Sequence, residues 1–190
     1  MIYQDKSKTM DTILGMNHDE LMQRAEKWLR KSKRCSVILR EFVCYAVERP
    51  DLIAWKYGAS ILIECKTSRA DFYREIKKPS RRNGIGMGRD RYYFVPANLI
   101  NESEMPENWG LIFCYENYIK VIKEAIPFPQ EIYTVAEYPL LLSIARRVEY
   151  RGWMENIRDG SVVNIGDVTA PSTPRIVSNP DPPRPIHELL

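Results

Sequence analysis

Pro50-Asp51-Leu52-Ile53-Ala54-Trp55-Lys56-Tyr57-Gly58-Ala59-Ser60-Ile61-Leu62-Ile63-Glu64-Cys65-Lys66 is the stretch on which the reading of this chain turns. Two apolar runs, Leu52 to Trp55 and Ile61 to Ile63, flank the short Gly-bearing turn Lys56-Tyr57-Gly58-Ala59, a pattern that predicts a hairpin of two neighbouring strands. Residues two apart on a strand share a face and lie about 7 Å apart along it. Glu64 and Lys66 therefore point the same way, and Asp51, at the head of the partner strand, comes within reach of Glu64. Two carboxylates and an ammonium make poor core material, because buried charge is costly unless it is paired or binds a metal. The group reads either as a surface ion pair on an edge strand or as two oxygen ligands for a hard divalent ion, Mg2+ or Mn2+, with Lys66 orienting the water that the ion activates. The second arrangement is equipment for phosphodiester hydrolysis.

With its flanks, Pro50-Asp51 before it and Thr67-Ser68-Arg69-Ala70-Asp71-Phe72 after Glu64-Cys65-Lys66, the stretch resembles the PD-(D/E)XK nuclease superfamily, in particular its small phage and bacterial members with a Ser-Arg-x-Asp-Phe continuation. The element order extends the match to roughly residues 18 to 116. The resemblance implies an α/β, restriction-endonuclease-like αβββαβ core, a mixed central sheet flanked by helices. It implies a Mg2+-dependent (or Mn2+-dependent) nuclease acting on nucleic acid, DNA first, with Asp51, Glu64 and Lys66 as catalytic residues and Asp51 and Glu64 holding the ion. Pairing as a homodimer to cut both strands is one mode of action in that superfamily. A glutamate on the first helix can complete such a site, and Glu20 is the candidate, with Glu26 behind it. A strand glutamate ahead of the aspartate is another, and here that is Glu41. The superfamily also contains inactive members, so the same residues fit a nucleic-acid-binding or protein-interaction module without turnover, such as a phage or mobile-element accessory factor.

The charge pattern points to the same partner. The formal charge of the 190 residues is only +3, yet Gln23 to Arg40 holds seven basic residues against one acid and Arg69 to Arg91 eight against three. Those segments carry +6 and +5, which leaves −8 for the rest. A basic surface of this kind suits a polyanion, since phosphate neutralisation supplies most non-specific nucleic-acid affinity; two solvated helix faces are the other reading. The four cysteines are scattered, so neither a zinc ribbon nor a disulfide framework is indicated. With two histidines in the chain, a His-centred hydrolase is not expected. No apolar run is long enough to cross a bilayer and no signal-peptide core is evident, which predicts a soluble cytoplasmic protein without a membrane partner.

Residues 1–16 read as a polar lead-in, 17–158 as the nuclease-like domain, and 159–190 as an extended tail whose six prolines between 170 and 185 suit a protein-binding peptide. Asn17 and Glu20 form a capping-box pattern for a helix to Lys31, which gives Glu20 a structural reading beside the ligand one. Ser36 to Val47 alternates like a strand. Ser68 and Asp71 suit the cap of a helix that Pro79 stops. The glycine-rich loop from Pro79 to Arg91 follows a helix and opens a strand, the reverse of a dinucleotide-binding turn. Its arginines suit a clamp on a phosphate backbone. The expected nucleic-acid contacts are Ser68, Arg69, Lys77, Lys78, Arg81, Arg82, Arg89 and Arg91. Strands at Arg91–Val95, Gly110–Tyr115 and Tyr118–Ile122 follow, the last two an extra hairpin about Glu116-Asn117, and a final helix from Tyr138 with Pro139 in its first turn and Leu141 and Leu142 inward.

Overall fold

A computed structural model describes residues 16–42, 48–78 and 86–150. Residues 1–15 of the lead-in, 79–85 of the glycine-rich loop with Arg81 and Arg82, and the proline-rich tail lie outside the described residues. The chain divides into two units, Met1–Leu141 and Leu142–Leu190, and the whole sheet belongs to the first.

The elements run α1 (His18–Lys31), β1 (Val37–Arg40), β2 (Leu52–Lys56), β3 (Ala59–Cys65), α2 (Arg69–Ile76), β4 (Asp90–Pro96), a short 3-10 turn (Glu102–Glu104), β5 (Gly110–Cys114), β6 (Ile119–Lys123) and α3 (Gln130–Tyr150). The class is α/β, and its order begins αβββαβ as expected. The six strands lie side by side in chain order; β3, β4 and β5 are parallel, and every other neighbouring pair is antiparallel. Parallel neighbours need a crossover, and α2 supplies the one between β3 and β4. Tyr57 and Gly58, both at positive φ (47° and 78°), make the tight turn of the β2–β3 hairpin. No helix among the described residues is long and apolar enough to cross a membrane.

Strand alternation sorts the sheet into two buried faces. Leu52 and Ala54, Ile61, Ile63 and Cys65, Tyr92 and Phe94, and Ile112 and Cys114 meet Leu21, Ala25, Trp28 and Leu29 of α1. Each fully buried aliphatic side chain there is worth about 2 kcal/mol, against about 1 kcal/mol for the helix cap. Packing therefore decides that α1 docks, and the cap decides where it starts. The cap is the predicted box: Asn17 Oδ1 accepts from Glu20 N (2.9 Å) and Glu20 Oε2 accepts from Asn17 N (3.1 Å). The other face carries Ile53, Leu62, Glu64, Arg91, Tyr93 and Leu111 in register. Phe72 of α2 meets Tyr93 edge-on at 5.0 Å, and Tyr93 stacks on Trp109 at 4.7 Å.

Two elements depart from the sequence reading. β1 stops at Arg40: its partner β2 begins only at Leu52, Glu41 turns away at φ 42°, and 43–47 lie outside the described residues. α3 starts at Gln130, so Pro139 falls inside it, and the inward positions are Ala136, Glu137 and Leu140 while Leu141 and Leu142 are exposed. The buried contacts of that first part outweigh the local cost of an interior proline, about 3 kcal/mol.

Candidate active site: an acid–lysine cluster at the end of the β2–β3 hairpin

The backbone brings Asp51, Glu64 and Lys66 together. Lys66 N donates to Phe94 O (3.2 Å), which continues the β3–β4 ladder one residue past Cys65 and keeps Lys66 on the side of Glu64. Asp51 sits one residue ahead of β2, and its Oδ2 accepts from the backbone N of Cys65 at 2.7 Å. That bond stitches the head of β2 to the end of β3. The Lys66 ammonium lies 3.1 Å from Glu64 Oε2 and 3.8 Å from Asp51 Oδ2. All three side chains are largely removed from water, at 8% exposure for Lys66, 4% for Glu64 and 16% for Asp51.

Burial alone would lower the pKa of Lys66; Glu64, Asp51 and Glu75 together outweigh it and hold the group above the ordinary lysine value. Lys66 is thus a cation at neutral pH. In that state it donates hydrogen bonds and stabilises negative charge. Cys65 between the acids is fully buried, and desolvation pushes its thiol well above the ordinary value, so it is no nucleophile.

Two residues of this cluster were not singled out from the sequence. Glu75 of α2 is buried, with Oε2 4.0 Å from Lys66 Nζ and 2.7 Å from the exposed ammonium of Lys78. Its signal was its position, three residues after the buried Phe72 and so on the inward side of an eight-residue helix. His18, the first residue of α1, places Nε2 3.4 Å from Asp51 Oδ2. Read as one end of a capped helix, it gave no hint of a partner 33 residues away.

The remaining expected residues separate. Glu20 is exposed and bound up in its capping box, and Glu41 is exposed, past the end of β1, 3.8 Å from Arg49; neither side chain joins the cluster. Ser68 caps α2, accepting from Asp71 N (3.2 Å). Arg69 is engaged by Glu104 (2.6 Å), Tyr73 and the carbonyl of Leu99. Glu104 in turn is held at a pKa of about 2, first by the Tyr73 hydroxyl, then by Asn101 N and Arg69. Lys77 and Lys78 end α2 exposed. Arg89 is half-exposed beside Asp90 (3.6 Å) at the start of β4, away from the cluster.

Arg91 overturns its expectation as a phosphate contact. It is fully buried, donates to the carbonyls of Gly86 (2.7 Å) and Gly88 (3.0 Å), and lies 3.8 Å over the ring of Phe128. The described end of the glycine-rich loop is therefore an anchored core element: Met87 is buried, its N–H donates to Glu48, and Gly88, at φ 84°, donates to Glu137.

Asp51 and Glu64 converge on one cation, the ammonium, and as a donor set fit a hard divalent ion that keeps waters in its other positions. Among the described residues no group of three or more His, Cys, Asp or Glu side chains is arranged to hold a metal ion.

No protein-family model matches the chain, and no curated protein matches it. Among solved structures it is similar to a protein of unknown function from Silicibacter pomeroyi, at 20% identity and a TM-score of 0.50, over 80% of this chain and 99% of that one. What the two share is the fold.

Proposed function

We propose that this chain is a divalent-metal-dependent nuclease of the PD-(D/E)XK type, acting on nucleic acid and first of all on DNA. The observation that supports the reading is the convergence of Asp51 and Glu64 on the Lys66 ammonium, both within 3.8 Å of it, at the end of the β2–β3 hairpin.

Asp51, fixed by Cys65 N–H, and Glu64, fixed at the end of β3, are the residues that would hold Mg2+ or Mn2+. When bound, the ion lowers the pKa of a water and offsets charge on a phosphoryl oxygen. Lys66, kept charged by its acids, donates to the attacking water or to a non-bridging oxygen and so stabilises the charge that builds during attack. The hydrophobic floor of Leu62, Tyr93 and Phe72 keeps that charge in low dielectric, where it acts most strongly. Lys77 and Lys78, exposed at the end of α2, are placed to meet the phosphate backbone near this end of the sheet.

The test is incubation of the full chain with labelled single- and double-stranded DNA and RNA in Mg2+, Mn2+ or EDTA, beside Lys66→Ala. Cleavage that needs the metal and Lys66 is expected; no cleavage of any form rules the enzyme out. The reading as a binding module without turnover has one observation in its favour, that the Lys66 ammonium already neutralises part of the charge on Asp51 and Glu64. Calorimetry with Mn2+ separates the two, because the enzyme takes up the ion through its carboxylates.

A further inference from the structure

Glu75 has no part in the motif, yet it is the third carboxylate around Lys66. An acid on the inward side of α2 is costly unless paired, and the pairing here is two-sided. Lys66 Nζ stands 4.0 Å away in the interior, and Lys78 Nζ stands 2.7 Å away with its side chain 57% exposed. The ammonium of Lys66 lies 3.1 Å from Glu64 Oε2 and 3.8 Å from Asp51 Oδ2, the carboxylates that would hold a divalent ion, so the two cations would compete for the same oxygens. If Lys66 had no other acid within reach, expelling it would strand a buried charge.

We infer that Glu75 is a positioning residue, the carboxylate to which Lys66 shifts when a divalent ion takes Asp51 and Glu64. Lys78 is released to water in the exchange. Among the described residues the cluster holds three carboxylates and two ammoniums, and a divalent ion in place of one ammonium raises by one the positive charge that faces the carboxylates. The shift leaves Lys66 inside the site, facing the ion from the α2 side, where it meets the water or phosphate oxygen. This inference rests on the metal-dependent reading above.

The experiment is Mn2+ titration by calorimetry on the full chain, for the parent, Glu75→Gln, Lys66→Met and the double variant. Glu75→Gln is expected to weaken Mn2+ binding about tenfold, because Lys66 then stays between Asp51 and Glu64. In the Lys66→Met background the same change should alter affinity less than about twofold, since no ammonium needs moving. An equal loss in both backgrounds, or no loss in either, overturns the inference while leaving the metal site standing. A parent chain that takes up no Mn2+ overturns the metal reading and the inference together. Should Glu75→Gln fail to fold, Lys78→Met is the second variant. It removes an ammonium that competes with Lys66 for Glu75 and should tighten Mn2+ binding about threefold, an effect absent with Lys66→Met; unchanged or weaker binding counts against the exchange.

Discussion

The same sheet face buries carboxylates at two places, and they are satisfied in opposite ways. Glu137 of α3 accepts from Trp55 Nε1 (3.0 Å), Ser60 Oγ (2.5 Å) and Gly88 N (2.9 Å), all neutral donors, and Ser60 Oγ accepts in turn from Arg89 N (2.9 Å). At the other end of the hairpin, Asp51, Glu64 and Glu75 gather about the buried ammonium of Lys66. Fixed neutral donors around one carboxylate make a permanent joint, tying helix, hairpin and loop. Carboxylates gathered about an ammonium can exchange that cation for another, which neutral donors cannot do. The comparison teaches that an acid in the interior is informative through its partners and not through its burial.

If the contrast is right, the two clusters break differently. Glu64→Gln or Asp51→Asn should lower metal-dependent cleavage on the order of 10³-fold. The thermal midpoint should move by only a few degrees, because Lys66 keeps two other acids; full cleavage retained in either variant sinks the assignment. Glu137→Ala should do the reverse. It strands buried donors and opens a void, and should cost about 3 kcal/mol in denaturant unfolding while cleavage per folded molecule stays within about twofold. A loss of cleavage larger than the loss of folded protein would show that the joint and the site are coupled.

The pH dependence gives a finer distinction. Lys66 has a raised pKa, so its contribution to stability is complete below the ordinary lysine value of 10.5 and is lost as pH climbs through the higher folded value. Denaturant unfolding above about pH 10.5 should therefore show a falling limb that Lys66→Met lacks. Glu104 gives the opposite sign, since its pKa is depressed to about 2 from 4.5: its contribution is present above 4.5 and disappears as pH falls towards 2. Glu104→Gln should flatten that acid limb. The smallest effect belongs to the cap of α1, where Asn17→Ala should cost about 1 kcal/mol without touching cleavage.

Much of this architecture was legible before any coordinates. The apolar runs Leu52–Trp55 and Ile61–Ile63 about the Gly-bearing turn Lys56–Ala59 predicted the hairpin, and the period of two in a strand put Glu64 and Lys66 on one side without information from elsewhere. The Asn17–Glu20 box and the Ser68 cap were equally readable, their partners being three residues away. Arg91 misled the reading because a basic residue in a basic segment looks exposed, whereas register places it opposite Leu62 on a covered face. Glu41 misled it because a run of β-forming residues says nothing of where the partner strand begins.

From the sequence alone came the β2–β3 hairpin, the caps and the shared side of Glu64 and Lys66, all set by contacts within a turn or a hairpin; the αβββαβ order and the grouping of Asp51 with them as a catalytic set were what the family resemblance implied. Tertiary structure alone decided that Glu75 joins the triad, that His18 reaches Asp51 across 33 residues, and that Glu137 locks onto Ser60 across 77. The reason is physical: a buried charge must find its partner wherever folding brings one, and that partner is chosen by how helices pack on the sheet, which no local period records.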